Sequence, residues 1–225
     1  MALQIGFLIF PGIQLLDIAG PFDTFAAADG VEQHLVWKDL APVPTTSGWA
    51  LTPTATLADC PPLDVLCVPG GSGVNALLED AAVLGFLRRQ AAGVRFLTSV
   101  CSGALVLGAA GLLKGRRATT HWASHHLLER LGAIPVESRI VADGTLVTGG
   151  GITAGIDLAI DLIAWLKGEE EAQGVQLRLE YAPAPPFDAG TPATAPAAVT
   201  ARARAAYAPV IAERERITAR LQAGA

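Results

Sequence analysis

Short apolar runs alternate with helix-like stretches along most of this chain, and that alternation is its strongest constraint on fold. Apolar runs of about four to eight residues bounded by turns read as buried strands, and a helix between successive strands implies parallel pairing. The expected strands are 3–10, 32–38, 64–68 and 94–100, followed by a short 118–120 and the pair 140–142 and 145–148. Asp143-Gly144 separates that pair and is a strong two-residue hairpin signal. Helices are expected at 16–28, 75–91, 102–113, 124–131 and 153–167. Residues 41–57 carry Pro, Thr and Ser without helical period and read as a loop with short extended strands on one edge. The fold class implied is α/β, a largely parallel sheet with helices on both faces.

After Gly168 the composition shifts. Residues 169–181 read as a polar helix, 182–198 as a loop rich in Pro, Ala and Thr, and 201–222 as a helix of alternating Arg and Glu. That last helix is expected to present a solvated face, packed on the domain or on a second subunit. With 225 residues the chain fits one domain, residues 1–225, with a core over about 3–167 and a tail from 168 to 225. The apolar opening lacks a basic region and meets Pro11-Gly12, so it reads as a first strand and not as a signal peptide. No stretch of about 18 residues is continuously apolar, which argues against a membrane span. A net charge of −5 without a basic patch argues against nucleic acid as a partner. Three widely spaced cysteines make no disulfide framework and fit a reducing cytoplasm.

One cysteine stands where chemistry is expected. Cys101 follows the apolar run 94–100 and precedes the small-residue stretch that opens Ser102-Gly103-Ala104. A thiol on a strand-to-helix turn faces unpaired helix amides, so a lowered thiol pKa and a populated thiolate are expected, with amides nearby to hold an oxyanion. This is the thiol counterpart of the serine nucleophile elbow. The competing reading is a buried structural cysteine. Cys60, before Pro61-Pro62, and Cys67, within a buried strand, are expected to be inert.

Loops at the carboxyl ends of parallel strands converge on one edge. Asp17, after the first strand, reads either as a helix cap or as a carboxyl facing Cys101 whose pKa burial would raise enough to make it a general acid. Asp23 is the competing carboxyl and is expected to face solvent. The loop Pro69-Gly70-Gly71-Ser72-Gly73 lacks a complete phosphate-binding pattern. It reads as a tight turn or as a source of backbone N–H groups beside Cys101. His121 and His125 have no metal-binding companions, so no metal is expected; His121 either packs beside Trp122 or orients a group near Cys101. Gly149-Gly150-Gly151 is either a connector or a loop packed beside the nucleophile.

Taken together, Pro11-Gly12, Asp17, Gly20-Pro21, Pro69-Gly70-Gly71, Cys101-Ser102-Gly103-Ala104, Gly115 through Trp122 and Thr148 through Gly151 resemble the ThiJ/PfpI superfamily. The resemblance implies a flavodoxin-like, class I glutamine-amidotransferase-like fold. Two branches share these motifs: bacterial isocyanide hydratases, and the sensor half of some AraC-type regulators, which continue into a helix-turn-helix domain. The chain ends after one helical tail, and Asp17 stands where many superfamily members carry Glu, so it is more similar to the hydratases. Ser102 departs from the Thr common there.

The hydratase resemblance implies Cys101 as nucleophile, Asp17 as general acid and base, and Gly71, Ser72 and Ser102 as the oxyanion- or substrate-binding residues. It also implies a small-molecule isocyanide substrate, no cofactor and a homodimer. Another cysteine-dependent amidase or hydrolase, and a non-enzymatic oxidation or ligand sensor, are the alternatives.

Overall fold

The computed structural model describes residues 2–223. Eleven strands and seven α-helices are formed among them. The strands are β1 (Leu3–Leu8), β2 (Val31–Trp37), β3 (Val43–Pro44), β4 (Ala50–Leu51), β5 (Ala55–Thr56), β6 (Val65–Val68), β7 (Phe96–Val100), β8 (Arg117–Ala118), β9 (Ile134–Pro135), β10 (Ile140–Asp143) and β11 (Leu146–Gly149). The helices are α1 (Leu15–Ala26), α2 (Val74–Leu77), α3 (Ala81–Ala91), α4 (Gly103–Ala109), α5 (Ala154–Lys167), α6 (Glu169–Arg178) and α7 (Ala197–Ala223).

Seven strands make the main sheet in the order β10-β11-β7-β6-β1-β2-β5. Within it only the β10–β11 pair, joined through Asp143-Gly144, is antiparallel. Helices α1, α5 and α6 pack together against one face, and α2, α3, α4 and α7 against the other. The chain winds outward from β1 to β2, then returns to place β6 on the other side of β1. The loops after β1 and β6 therefore part from one another, and the crevice between them is where such sheets bind ligands. Ile13 bridges that crevice, pairing with Gly71 on one side and Thr45 on the other.

The central strands are mostly apolar because both faces are covered: every residue of β6 is buried, as is all of β7 after Phe96, where the buried Thr98 hydroxyl donates to the Leu66 carbonyl at 3.2 Å. Phe7, Phe10, Phe25, Phe86, Leu66 and Leu105 are completely enclosed. Burial of a side chain of this size stabilises by about 1.5–3 kcal/mol. Ala172 and Val175 of α6 and Ile217 of α7 belong to the same buried cluster, so the tail packs on the main core.

Three expected helices are redrawn. The helix expected over 75–91 is two helices, because the Asp80 backbone is extended and its carboxylate accepts from the Ala82 and Val83 amides, starting α3 afresh. Residues 124–131 form two 3-10 segments, Trp122–Leu127 and Glu129–Leu131, ended by Gly132 at a φ of 79°. The helix expected over 102–113 stops at Ala109, and Gly111 turns the chain at a φ of 79°. The segment 41–57 forms β3, β4 and the edge strand β5, as its composition implies.

Candidate active site

Cys101 follows β7 directly and has a φ of 55°, in the left-handed region that a non-glycine residue rarely occupies. Such strain persists only where surrounding contacts hold it. Here the Cys101 amide donates to the Gly149 carbonyl at 3.0 Å, and the Cys101 carbonyl accepts from Thr120 Oγ1 at 2.7 Å. The start of the glycine-rich loop 149–151 is thus packed beside the Cys101 backbone. Gly103 makes the turn possible: a Cβ there would lie 1.9 Å from the Val68 carbonyl oxygen. Helix α4 can start against the end of β6 only without a side chain at that position.

Asp17 lies in the first turn of α1 but caps nothing. It is fully buried, and its Oδ2 accepts from the Gly70 amide at 2.8 Å, while Oδ1 has no hydrogen-bond partner. Burial pushes its carboxyl from an ordinary 3.8 up to about 7, against the opposing pull of the Gly70 amide and the Cys101 thiol. A large share of Asp17 is therefore protonated near neutrality. Asp23 is exposed.

The Cys101 thiol does not follow the expectation of a lowered pKa. Burial raises it first, and the negative charge of Asp17 raises it further; the Ser102 amide and the Arg214 guanidinium act in the opposite sense. The dipole of a seven-residue helix is too small to offset the loss of water around the sulfur. The two groups are coupled, because a protonated Asp17 no longer opposes the thiolate.

A cavity of about 170 Å³ opens over the sulfur. Cys101, Ser102, Gly71 and Ser72 line it at the sheet edge, joined by Gln14, Thr46, His121 and Ile152. The structure thus brings Cys101, Gly71, Ser72 and Ser102 to one cavity, with Asp17 behind the sulfur. The loop amides are already engaged: Gly70 N–H serves Asp17, and Gly71 N–H donates to Ser102 Oγ at 3.2 Å. The Ser102 N–H is the amide directed at the sulfur.

His121 sits in the cavity wall with its ring 5.4 Å from Trp122 and 5.1 Å from Tyr207. Burial, helped by the charge of Arg214, lowers its pKa to about 4, so the ring is neutral. His125 lies outside the cavity lining, so the structure does not bring it to His121's side of the site. Among the described residues, no three His, Cys, Asp or Glu side chains gather into a metal-binding cluster. Cys60 and Cys67 lie outside the cavity lining, their thiols pushed up by burial to about 11 and about 12.

The last wall of the cavity is α7, which contributes Tyr207, Val210 and Arg214. As expected, the helix packs on the domain with a solvated outer face; that its inner face walls the cavity goes beyond that expectation. The signal lay in spacing: Tyr207, Val210, Arg214, Ile217 and Leu221 recur at three- and four-residue intervals, and Arg214 interrupts an otherwise apolar stripe. The dense flanking charges of Glu213, Glu215 and Arg216 conceal it.

A largely parallel α/β sheet carrying a buried cysteine on a strand-to-helix elbow defines the class: an α/β protein with a thiol at the sheet's carboxyl edge. The chain belongs to the DJ-1/PfpI family, whose model matches residues 4–165. It is 61% identical to the isonitrile hydratase of Pseudomonas putida over 99% of this chain and 98% of that protein. It is 30% identical to the HTH-type transcriptional regulator CdhR of Pseudomonas aeruginosa, over 76% of this chain and 53% of the regulator. A crystal structure of a ThiJ/PfpI family protein from Pseudomonas syringae superposes with a TM-score of 0.94 at 41% identity, over 97% of this chain and 91% of that one. Drosophila melanogaster DJ-1beta shares the fold, with a TM-score of 0.74 at 24% identity over 81% of this chain and all of that one. Among the described residues no helix is long and apolar enough to cross a membrane.

Proposed function

We propose that this protein is an isocyanide hydratase, converting a small isocyanide and water to an N-substituted formamide. The observation that carries this reading is the buried Asp17–Cys101 pair beneath the cavity, in a chain 61% identical to an isonitrile hydratase over nearly its full length.

The isocyanide carbon is electrophilic, and once attacked it needs a proton. The reactive form of the pair holds one proton, on Asp17, with Cys101 as thiolate; since burial raises the thiol above Asp17, this is the minor arrangement of that proton, reached by its transfer from Sγ to Asp17. The sulfur adds to the isocyanide carbon, and Asp17 protonates that carbon to give a thioimidate. Asp17, now a carboxylate, takes a proton from water as the water oxygen adds to the same carbon. The proton passes to the substrate nitrogen. Collapse of the adduct breaks the C–S bond and forms the formamide carbonyl. The hydroxyl proton returns to Asp17, and thiolate and acid are restored. General acid–base assistance of this kind contributes about 10²–10⁴-fold. Ser102 N–H steadies the sulfur, and Gly71 and Ser72 shape the wall against which the substrate lies. The route calls on no cofactor.

The chain is proposed to act as one domain over residues 1–225, since its tail shares the main core. A homodimer is proposed from the family resemblance and from large apolar side chains such as Leu177 and Phe187, which are more than three-quarters exposed. A cytoplasmic location is proposed from three free cysteines.

The test is incubation with a simple alkyl or aryl isocyanide, with formamide followed by mass spectrometry and rapid quenching to trap a mass adduct on Cys101. Formamide with a Cys101 adduct supports the reading. Its absence across several isocyanides overturns it.

A further inference from the structure

Arg214 is a buried cation with no carboxylate partner. Only 5% of it is exposed. Its Nε donates to Asn75 Oδ1 at 2.9 Å and its Nη1 to Ser124 Oγ at 2.9 Å. Its Nη2 donates to the Gly71 carbonyl at 2.7 Å and to Ser102 Oγ at 3.3 Å. All four acceptors are neutral, and none of the ion pairs among the described residues includes Arg214. A buried charge without a counter-charge is costly, and burying one beside a reactive sulfur implies that an anion arises there.

The Ser102 hydroxyl completes the argument. Its oxygen accepts from Gly71 N–H at 3.2 Å and from Arg214 at 3.3 Å, which fills both acceptor positions. The proton remains. The protein acceptor within reach is the Gly71 carbonyl at 3.5 Å, a long contact to an oxygen already held by Arg214. Ser102 lines the cavity, so its O–H is left as a donor beside Cys101.

We propose that Arg214 is a positioning residue: by occupying the Ser102 oxygen it commits that hydroxyl to donate to the substrate nitrogen, and its unpaired charge balances the anion formed at Cys101. The part concerning nitrogen rests on the hydratase reading. When the thiolate adds, the nitrogen keeps a lone pair, and it must gain a proton as water adds. Ser102 O–H donates a hydrogen bond to that lone pair and keeps its proton; the proton transferred comes from water through Asp17. Arg214 lies beyond the residues 4–165 that the family model matches, so this device is supplied by the chain's own tail.

Two measurements on the full chain test this. The first needs no isocyanide: the rate of Cys101 alkylation by iodoacetamide against pH, read by peptide mass. The charged or titratable groups facing the sulfur are Asp17 from α1, His121 from the segment after β8, and Tyr207 and Arg214 from α7. Arg214→Met leaves the others in place and is expected to slow alkylation about tenfold at each pH below the midpoint, whereas Arg214→Lys keeps the rate near wild type.

The second is kcat and KM for an aryl isocyanide with Ser102→Ala, Arg214→Met and the double variant. Each single change is expected to lower kcat by about 10–100-fold with little change in KM, and the double to be little worse than the worse single. Should Arg214→Met fail to fold, Ser102→Ala carries the kinetic test, since it leaves the guanidinium in place. Wild-type kcat in Ser102→Ala overturns the proposal. So do equal losses in Arg214→Met and Arg214→Lys with unchanged alkylation rates, which would make Arg214 a structural tie. A wild type that forms no formamide overturns the hydratase reading, and the alkylation profile still decides the electrostatic role of Arg214.

Discussion

Replacing Asp17 by asparagine separates the acid's chemistry from its cost. The carboxyl is fully enclosed, and burial lifts its pKa from 3.8 to about 7. A raised pKa means the folded chain holds this proton more tightly than the unfolded chain does. As pH rises above about 4, the unfolded carboxyl ionises freely, but the folded one does not until about pH 7. Stability contributed by the neutral acid is therefore present in full below about pH 4 and is lost progressively up to about pH 7.

The shift of about three units corresponds to about 4 kcal/mol at 1.36 kcal/mol per unit. Asparagine has the same shape, accepts from the Gly70 amide and never ionises. Cys101 is coupled to Asp17, but its raised thiol stays protonated in both proteins over this pH range, and the remaining titrating groups are common to both and cancel. The stability of Asp17→Asn relative to wild type, from urea unfolding at intervals from pH 4 to 8, is thus expected to rise by about 1.4 kcal/mol per pH unit and to level off above about pH 7. Formamide production should be lost at every pH. A stability difference that stays flat with pH would refute the buried neutral acid, and unimpaired turnover would refute its role in proton transfer.

Other outcomes follow from the same geometry. Cys101→Ala should remain folded and lose formamide production, whereas Cys60→Ser should leave turnover intact and Cys67→Ala should cost about 1–2 kcal/mol of stability at most; residual isocyanide consumption in Cys101→Ala near the wild-type rate would contradict the mechanism. Gly103→Ala, whose new Cβ would lie 1.9 Å from the Val68 carbonyl, should destabilise by about 3 kcal/mol or more in thermal or urea unfolding, and a neutral effect would show that the elbow is looser than described. Sedimentation should give twice the 23.2 kDa chain mass, and a particle of chain mass at micromolar concentration would remove the homodimer.

What the sequence determined by itself was local. The largely apolar runs before Pro11, Pro69 and Cys101 gave three central strands, because strands covered on both faces are built mostly from apolar residues. Asp143-Gly144 gave the hairpin, since few dipeptides fit that turn. Cys101 was legible because an elbow needs small neighbours, and Gly103 is required by a backbone contact that no side chain could survive.

Tertiary structure decided the charges. The sequence placed Cys101 at a helix start, but only packing reveals that burial and Asp17 outweigh the helix and raise its pKa. Asp17 looks like any first-turn acid until the Gly70 loop closes over it. Arg214, 113 residues from Cys101 in the chain, lies within an alternation of Arg and Glu that reads as solvated, and it becomes part of the site only when α7 docks over the cavity. Strands and turns depend on neighbours in sequence, whereas desolvation and Coulomb terms depend on neighbours in space.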